Sequence, residues 1–100
     1  MKESEFQRKL IKKLKDRFPG CYVMKNDANH KAGIPDLTVL YEDHWATLEC
    51  KKSETATHRL HQDRNVEKMN KMSFSAFIYP ENEEEVINEM ERSFKSHRRR

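Results

Sequence analysis

At 100 residues, 37% of them charged and 35% apolar, the chain has room for one domain with one small core, because two halves would each bury too little surface to offset the entropy of folding. No apolar run approaches the ~18 residues of a membrane span, and the charged first residues do not form a secretory h-region, so neither membrane insertion nor export is expected. The formal charge of +3 is modest but uneven: Lys9, Lys12, Lys13, Lys15 and Arg17 share one segment, and Arg98, Arg99 and Arg100 lie at the far end, a distribution that suits a polyanion or a solvated helix face.

From Ser4 onward, Phe6, Leu10, Ile11, Leu14 and Phe18 recur at helical spacing, which predicts an amphipathic helix with its basic residues outward. Ser4 and Gln7 have the spacing of a capping box, and Pro19-Gly20 supplies a stop. Cys21 to Lys25 reads as a strand and Asn26 to Lys31 as a polar loop. Leu37 to Tyr41 and Trp45 to Lys51 read as two further strands, so close across Glu42-Asp43-His44 that they pair as a hairpin. A polar loop over Lys52 to Thr57 leads to a helix ending near Met72, with Gln62, Val66 and Met69 on one face. Ser75 to Tyr79 reads as a fourth strand. Glu83 to about Lys95 reads as a closing helix with an acidic, dipole-favoured start, and residues 96–100 as a flexible basic tail. The two cysteines both fall in strand-like segments and are expected to be reduced thiols of a cytoplasmic protein.

Side chains alternate along a strand, so Glu49 and Lys51 project from one face while Leu48 and Cys50 take the other. Asp36 stands where the preceding strand begins, and hairpin pairing can carry it next to Glu49. Two carboxylates converging on one point make a hard, oxygen-lined site suited to Mg²⁺ or Mn²⁺. With Lys51 beside them, the trio has what phosphodiester hydrolysis requires: cation ligands and a group to orient or deprotonate water. The simpler reading of an acid-x-Lys triplet is a surface salt bridge.

Gly33-Ile34-Pro35-Asp36-Leu37, followed by Leu48-Glu49-Cys50-Lys51 thirteen positions after the aspartate, resembles the PD-(D/E)XK nuclease signature, and more closely the stand-alone VRR-Nuc domains of phages and bacteria. The likeness includes the initial helix opening with Met1-Lys2-Glu3-Ser4 and the helix carrying Gln62. It implies an α/β fold with a restriction-endonuclease-like α-β-β-β-α-β core, a mixed four-stranded sheet and a C-terminal helix. It also implies Mg²⁺-dependent cleavage of DNA leaving a 5′-phosphate and, for single-domain members, a homodimer acting on branched DNA such as Holliday junctions. A phage origin would place the chain in the host cytoplasm.

The same resemblance implies metal ligation by Asp36, Glu49 and the backbone carbonyl of Cys50, with Lys51 catalytic. It adds a first-helix glutamate, for which the interval to Phe6 and Leu10 selects Glu3 and leaves Glu5 as the alternative. It gives Gln62 a supporting role for the lysine or the water, against the plainer role of satisfying a backbone group at the core edge. Cysteine in the middle of Glu-x-Lys and Leu37 where many phage members carry arginine are departures, and His30 reads as a solvent-facing loop residue. A non-catalytic nucleic-acid-binding module is the alternative function. A zinc protein is disfavoured, since no Cys-x-x-Cys or His-x-x-x-His pair exists.

Overall fold

In the computed structural model, which describes residues 2–96, the elements run α1 (Glu3–Arg17), β1 (Tyr22–Lys25), β2 (Leu37–Tyr41), β3 (His44–Cys50), α2 (Leu60–Met72), β4 (Phe74–Ile78) and α3 (Glu83–Ser96). The four strands lie in the order β1-β2-β3-β4. The first three are antiparallel neighbours and β3 runs parallel to β4, because α2 carries the chain back across the sheet between them. This is the mixed α/β sheet that the sequence predicts.

Alternation along β3 assigns the two faces. Ala46, Leu48 and Cys50 are buried with Leu37, Val39 and Ile78 against Phe6, Leu10 and Leu14 of α1 and Val86, Ile87, Met90 and Phe94 of α3. On the opposite face α2 buries Val66 alone among its residues. Polar contacts fasten it there: the Thr47 hydroxyl donates to Ser75 Oγ at 2.7 Å and lies 3.4 Å from Met69 Sδ. One face of the sheet is thus an apolar core, while the other can hold buried polar groups.

Several boundaries depart from the expected ones. The α1 helix starts at Glu3 with Lys2 as its N-cap and no side-chain cap. The Lys2 carbonyl already accepts the Phe6 N–H at 3.0 Å, so Ser4 sits inside the helix and forms no capping box. The β3 strand begins at His44 because Tyr41 pairs with His44 across a two-residue turn in which Glu42 adopts φ 55°. It ends at Cys50, yet the Lys51 N–H still bonds Ile78 O at 2.9 Å, so pairing to β4 continues to the lysine. The α2 helix starts at Leu60 and β4 spans Phe74–Ile78, each slightly displaced from expectation. Ser96 belongs to α3, and residues 97–100 of the expected basic tail lie outside the described residues. Both cysteines are free thiols. Among the described residues no helix is long and apolar enough to cross a membrane.

Candidate active site

The site begins with a register. Leu37 pairs with Leu48, so the residue before β2, Asp36, comes to lie against Glu49. Asp36 Oδ2 accepts the backbone N–H of Cys50 at 2.9 Å, which fixes the carboxylate at the open end of the hairpin. Glu49 and Lys51, two positions apart, share the face turned to α2, while Cys50 is fully buried in the apolar core.

Gln62, in the first turn of α2, joins these groups. Its Nε2 donates to Glu49 Oε2 at 2.9 Å and its Oε1 accepts from Lys51 Nζ at 2.8 Å. The same Oε1 accepts the Arg59 backbone N–H at 3.1 Å, satisfying a backbone donor at the helix start. Lys51 Nζ and Glu49 Oε2 are 3.8 Å apart, too far for a direct hydrogen bond. The carboxamide therefore spaces an ammonium and a carboxylate that would otherwise collapse into a contact pair. One carboxamide thus contacts both charged side chains and satisfies a backbone donor.

Burial makes this cluster electrostatically costly. Glu49 is 3% exposed and Lys51 8%. Desolvation, followed by the negative charge of Asp36, pushes the Glu49 carboxyl up to about 7, against the opposing pull of Lys51. Asp36 is also raised, first by desolvation, with the Cys50 N–H and Lys51 acting in the other direction. Glu49 Oε1 is buried with no hydrogen-bond partner among the described residues. A buried acceptor without a donor is uncommon and costs on the order of 1–3 kcal/mol. A cation between Asp36 and Glu49 would complete that acceptor and relieve the repulsion, so the residues fit a hard divalent ion. Among the described residues no three His, Cys, Asp or Glu side chains converge to hold a metal, which leaves a two-carboxylate site of the kind Mg²⁺ fills with water and carbonyl oxygen.

Glu3 lies in the first turn of α1 and is exposed. Its charge still acts on Glu49 and Cys50, raising both. Glu5 stands in the same first turn and is likewise exposed. His30 is exposed on the loop after β1, as expected.

Two supporting residues were not singled out from the sequence. Asn26 donates through Nδ2 to Pro35 O at 2.9 Å and Thr38 Oγ1 at 2.8 Å, and its N–H bonds Asp36 O at 2.8 Å, so it clamps the turn that presents Asp36. His58 stacks on Phe77 with ring centroids 3.9 Å apart and contacts Asp63 at 3.1 Å, tying the loop after Lys51 to α2. An asparagine in a polar loop carries no sequence signal of a clamp. Nor does a histidine reveal its ring partner 19 positions away.

A cavity of about 490 Å³ opens at the turn end of the β2–β3 hairpin among Arg17, Tyr41, His44 and Phe94, away from Asp36 and Glu49. No buried acid lines that cavity.

No family model matches the chain, and no curated protein matches it. A solved structure described as a VRR_NUC domain is similar over 81% of this chain and 92% of its own, with 28% sequence identity and a TM-score of 0.61. Taken with the element order and the register that sets Asp36 against Glu49, this likeness gives the chain the fold of a VRR-Nuc domain, a nuclease-type domain consistent with the PD-(D/E)XK superfamily.

Proposed function

We propose that the chain is a metal-dependent endodeoxyribonuclease that hydrolyses DNA phosphodiester bonds, with Mg²⁺ as cofactor and Mn²⁺ able to substitute. The observation that carries this reading is half-buried Asp36 set against buried Glu49, whose Oε1 has no partner among the described residues, next to an ammonium held off by Gln62. A purely structural ion pair would bring Lys51 directly onto Glu49 and leave no acceptor empty.

Asp36, Glu49 and the Cys50 carbonyl would hold the ion. When bound, the cation supplies neutralisation of charge developing on the phosphate and a more acidic water. Lys51, anchored by Gln62, positions the attacking water and stabilises the pentacovalent phosphate with its positive charge. Water adds to phosphorus as the bond to the 3′ oxygen breaks, giving a 3′-hydroxyl and a 5′-phosphate. Gln62 fixes both Glu49 and Lys51 through one planar group, so their spacing survives substrate entry.

Branched DNA such as a four-way junction is the proposed substrate and a homodimer the proposed active form, since symmetric cuts need two sites and one protomer carries one. Cleavage of end-labelled junction and matched linear duplex with Mg²⁺ or Mn²⁺ tests this reading, with Glu49→Ala and Lys51→Ala as comparisons. Symmetric junction cuts that vanish in both variants and in chelator support it. Binding without any cut under either metal replaces it with a non-catalytic nucleic-acid-binding module. Light scattering that gives the monomer mass for the DNA-free and the DNA-bound chain removes the dimer.

A further inference from the structure

The cations of α1 fall on two flanks, with exposed Lys9 projecting between them. Those facing α3 are engaged: Lys13 Nζ meets Glu83 at 2.7 Å and Arg17 reaches Asn88 and Glu91. Arg8, Lys12 and Lys15 lie on the flank away from α3, at the i, i+4, i+7 spacing that aligns them in one stripe. All three are exposed. Ion pairs among the described residues engage Lys13, Arg17, Lys51, Lys71 and Lys95 and leave this stripe without a carboxylate. Glu5 and Asp16 flank the stripe, one turn from Arg8 and Lys12 respectively, and among the described residues neither forms an ion pair with its three cations.

Two facts turn the stripe toward the outer edge of the sheet. The positive charge of Lys15 acts on the Cys21 thiol, the residue leading into β1, and β1 is an edge strand. Lys25, the last residue of β1, is exposed and pairs with buried Leu37, so it projects on the α1 side of the same edge. The opposite end of the stripe points to the catalytic cluster, because α1 begins at Glu3, whose charge reaches Glu49.

We infer that Arg8, Lys12 and Lys15 of α1, with Lys25 of β1, form a track for the phosphate backbone of the DNA, leading away from the Asp36–Glu49 centre along the β1 edge. The inference rests on the nuclease reading for the identity of the polyanion. At 1.5 Å per residue the stripe starts ~8 Å along α1 from Glu3 and extends ~10 Å further, or roughly three base steps at 3.4 Å each. A second copy of the chain is a poorer occupant. Two β1 edges meeting about a twofold axis would bring these unpaired cations together, and edge lysines are a common means of preventing such pairing.

The test is the salt dependence of binding to a labelled duplex, measured in chelator so that no cleavage intervenes, for the full chain and two double variants. Lys12→Gln/Lys15→Gln removes two track charges. Lys71→Gln/Arg92→Gln removes two charges near the β4 edge and controls for net charge. The track predicts that the slope of log affinity against log salt becomes shallower by about 1.8 for the first pair, ~0.9 per phosphate contact, and stays put for the second. With Mg²⁺, KM for DNA rises on the order of tenfold in the track variant while kcat is retained. Equal slopes for the track variant and the native chain overturn the inference, as does an equal loss in both variants. A lower assembly mass on sedimentation with an unchanged slope would also overturn it, by making this edge a self-association surface. A native chain that shows the expected slopes and cuts no DNA fails the nuclease reading and leaves the track standing.

Discussion

A β-carbon on Gly33 would stand 2.6 Å from the β-carbon of His61 and 2.8 Å from its carbonyl carbon. The loop that ends in Asp36 is thus seated directly on the first turn of α2, one residue before Gln62. Asn65 Nδ2 adds a contact to Ala32 O at 3.4 Å. Gly33 also has φ 76°, a conformation that side-chain-bearing residues adopt at a cost. The separation between Asp36 and the bridging Gln62 is set where two backbones touch.

Gly33→Ala therefore meets two penalties, a strained backbone and a clash with helix backbone that cannot rotate away. The expected loss of stability is about 2–4 kcal/mol by urea unfolding. Activity of the folded fraction should fall further, because separating the loop from α2 draws Asp36 from Glu49 and Gln62. Native-like cleavage in a destabilised but folded Gly33→Ala chain would show that this contact supports the fold alone.

Gln62→Ala removes the donor to Glu49 and the acceptor for Lys51 in one step. Groups that orient metal ligands typically contribute 10–100-fold to activity or metal affinity, and a loss in that range is expected. The cap to Arg59 N–H goes with it, costing about 1 kcal/mol of stability. Gln62→Glu offers the informative contrast: it keeps the acceptor for Lys51 and sets a third negative charge beside Glu49. Equal kcat in Gln62→Ala and the native chain would reduce Gln62 to a helix cap.

Much of this arrangement is legible in the sequence, and the reason is periodicity. Strand alternation predicts that Glu49 and Lys51 share a face opposite Cys50, and helical spacing aligns Gln62 with Val66 and Met69; both relations hold in the structure. The β2 strand has the predicted bounds because its apolar run is closed by Pro35-Asp36 and by the Glu42-Asp43 turn. Contacts between distant segments are not legible in this way. The Asn26 clamp on Pro35 and the seating of Gly33 on His61 depend on how a loop folds back, which no local pattern encodes. Where α1 starts is also hidden, because Ser4 gives a misleading cap signal. Lys2 as N-cap brings Glu3 into the first turn.

Glu49 makes stability depend on pH. Its ordinary value is 4.5 and the folded chain raises it to about 7, so between those values the folded state keeps a proton that the unfolded chain releases. Metal-free stability must then fall as pH rises across that window and level off above it, by about 1–3 kcal/mol. Glu49→Gln, isosteric with the protonated acid, should match the native chain at pH 5, exceed it at pH 8 in chelator, and cut no DNA. Mg²⁺ at pH 8 should restore stability to the native chain and leave Glu49→Gln unchanged. Thermal unfolding at the two pH values, with and without Mg²⁺, measures all of this; a native chain as stable as the variant at pH 8 without metal would refute the account.

Cys50 separates a role for its backbone from one for its side chain. The thiol is fully buried and is pushed up to about 12, first by desolvation and then by the negative charge of Asp36, so it stays neutral and unreactive at any working pH. If only its carbonyl faces the ion, any small apolar side chain should serve. Cys50→Ala should lose about 1 kcal/mol of stability from the space left in the core and keep kcat within about twofold. Under native conditions iodoacetamide should modify the half-buried Cys21 and leave Cys50 untouched until the chain unfolds. A loss of cleavage beyond tenfold in a well-folded Cys50→Ala chain, or alkylation of Cys50 at the rate of Cys21, would instead bring the sulfur itself into the site.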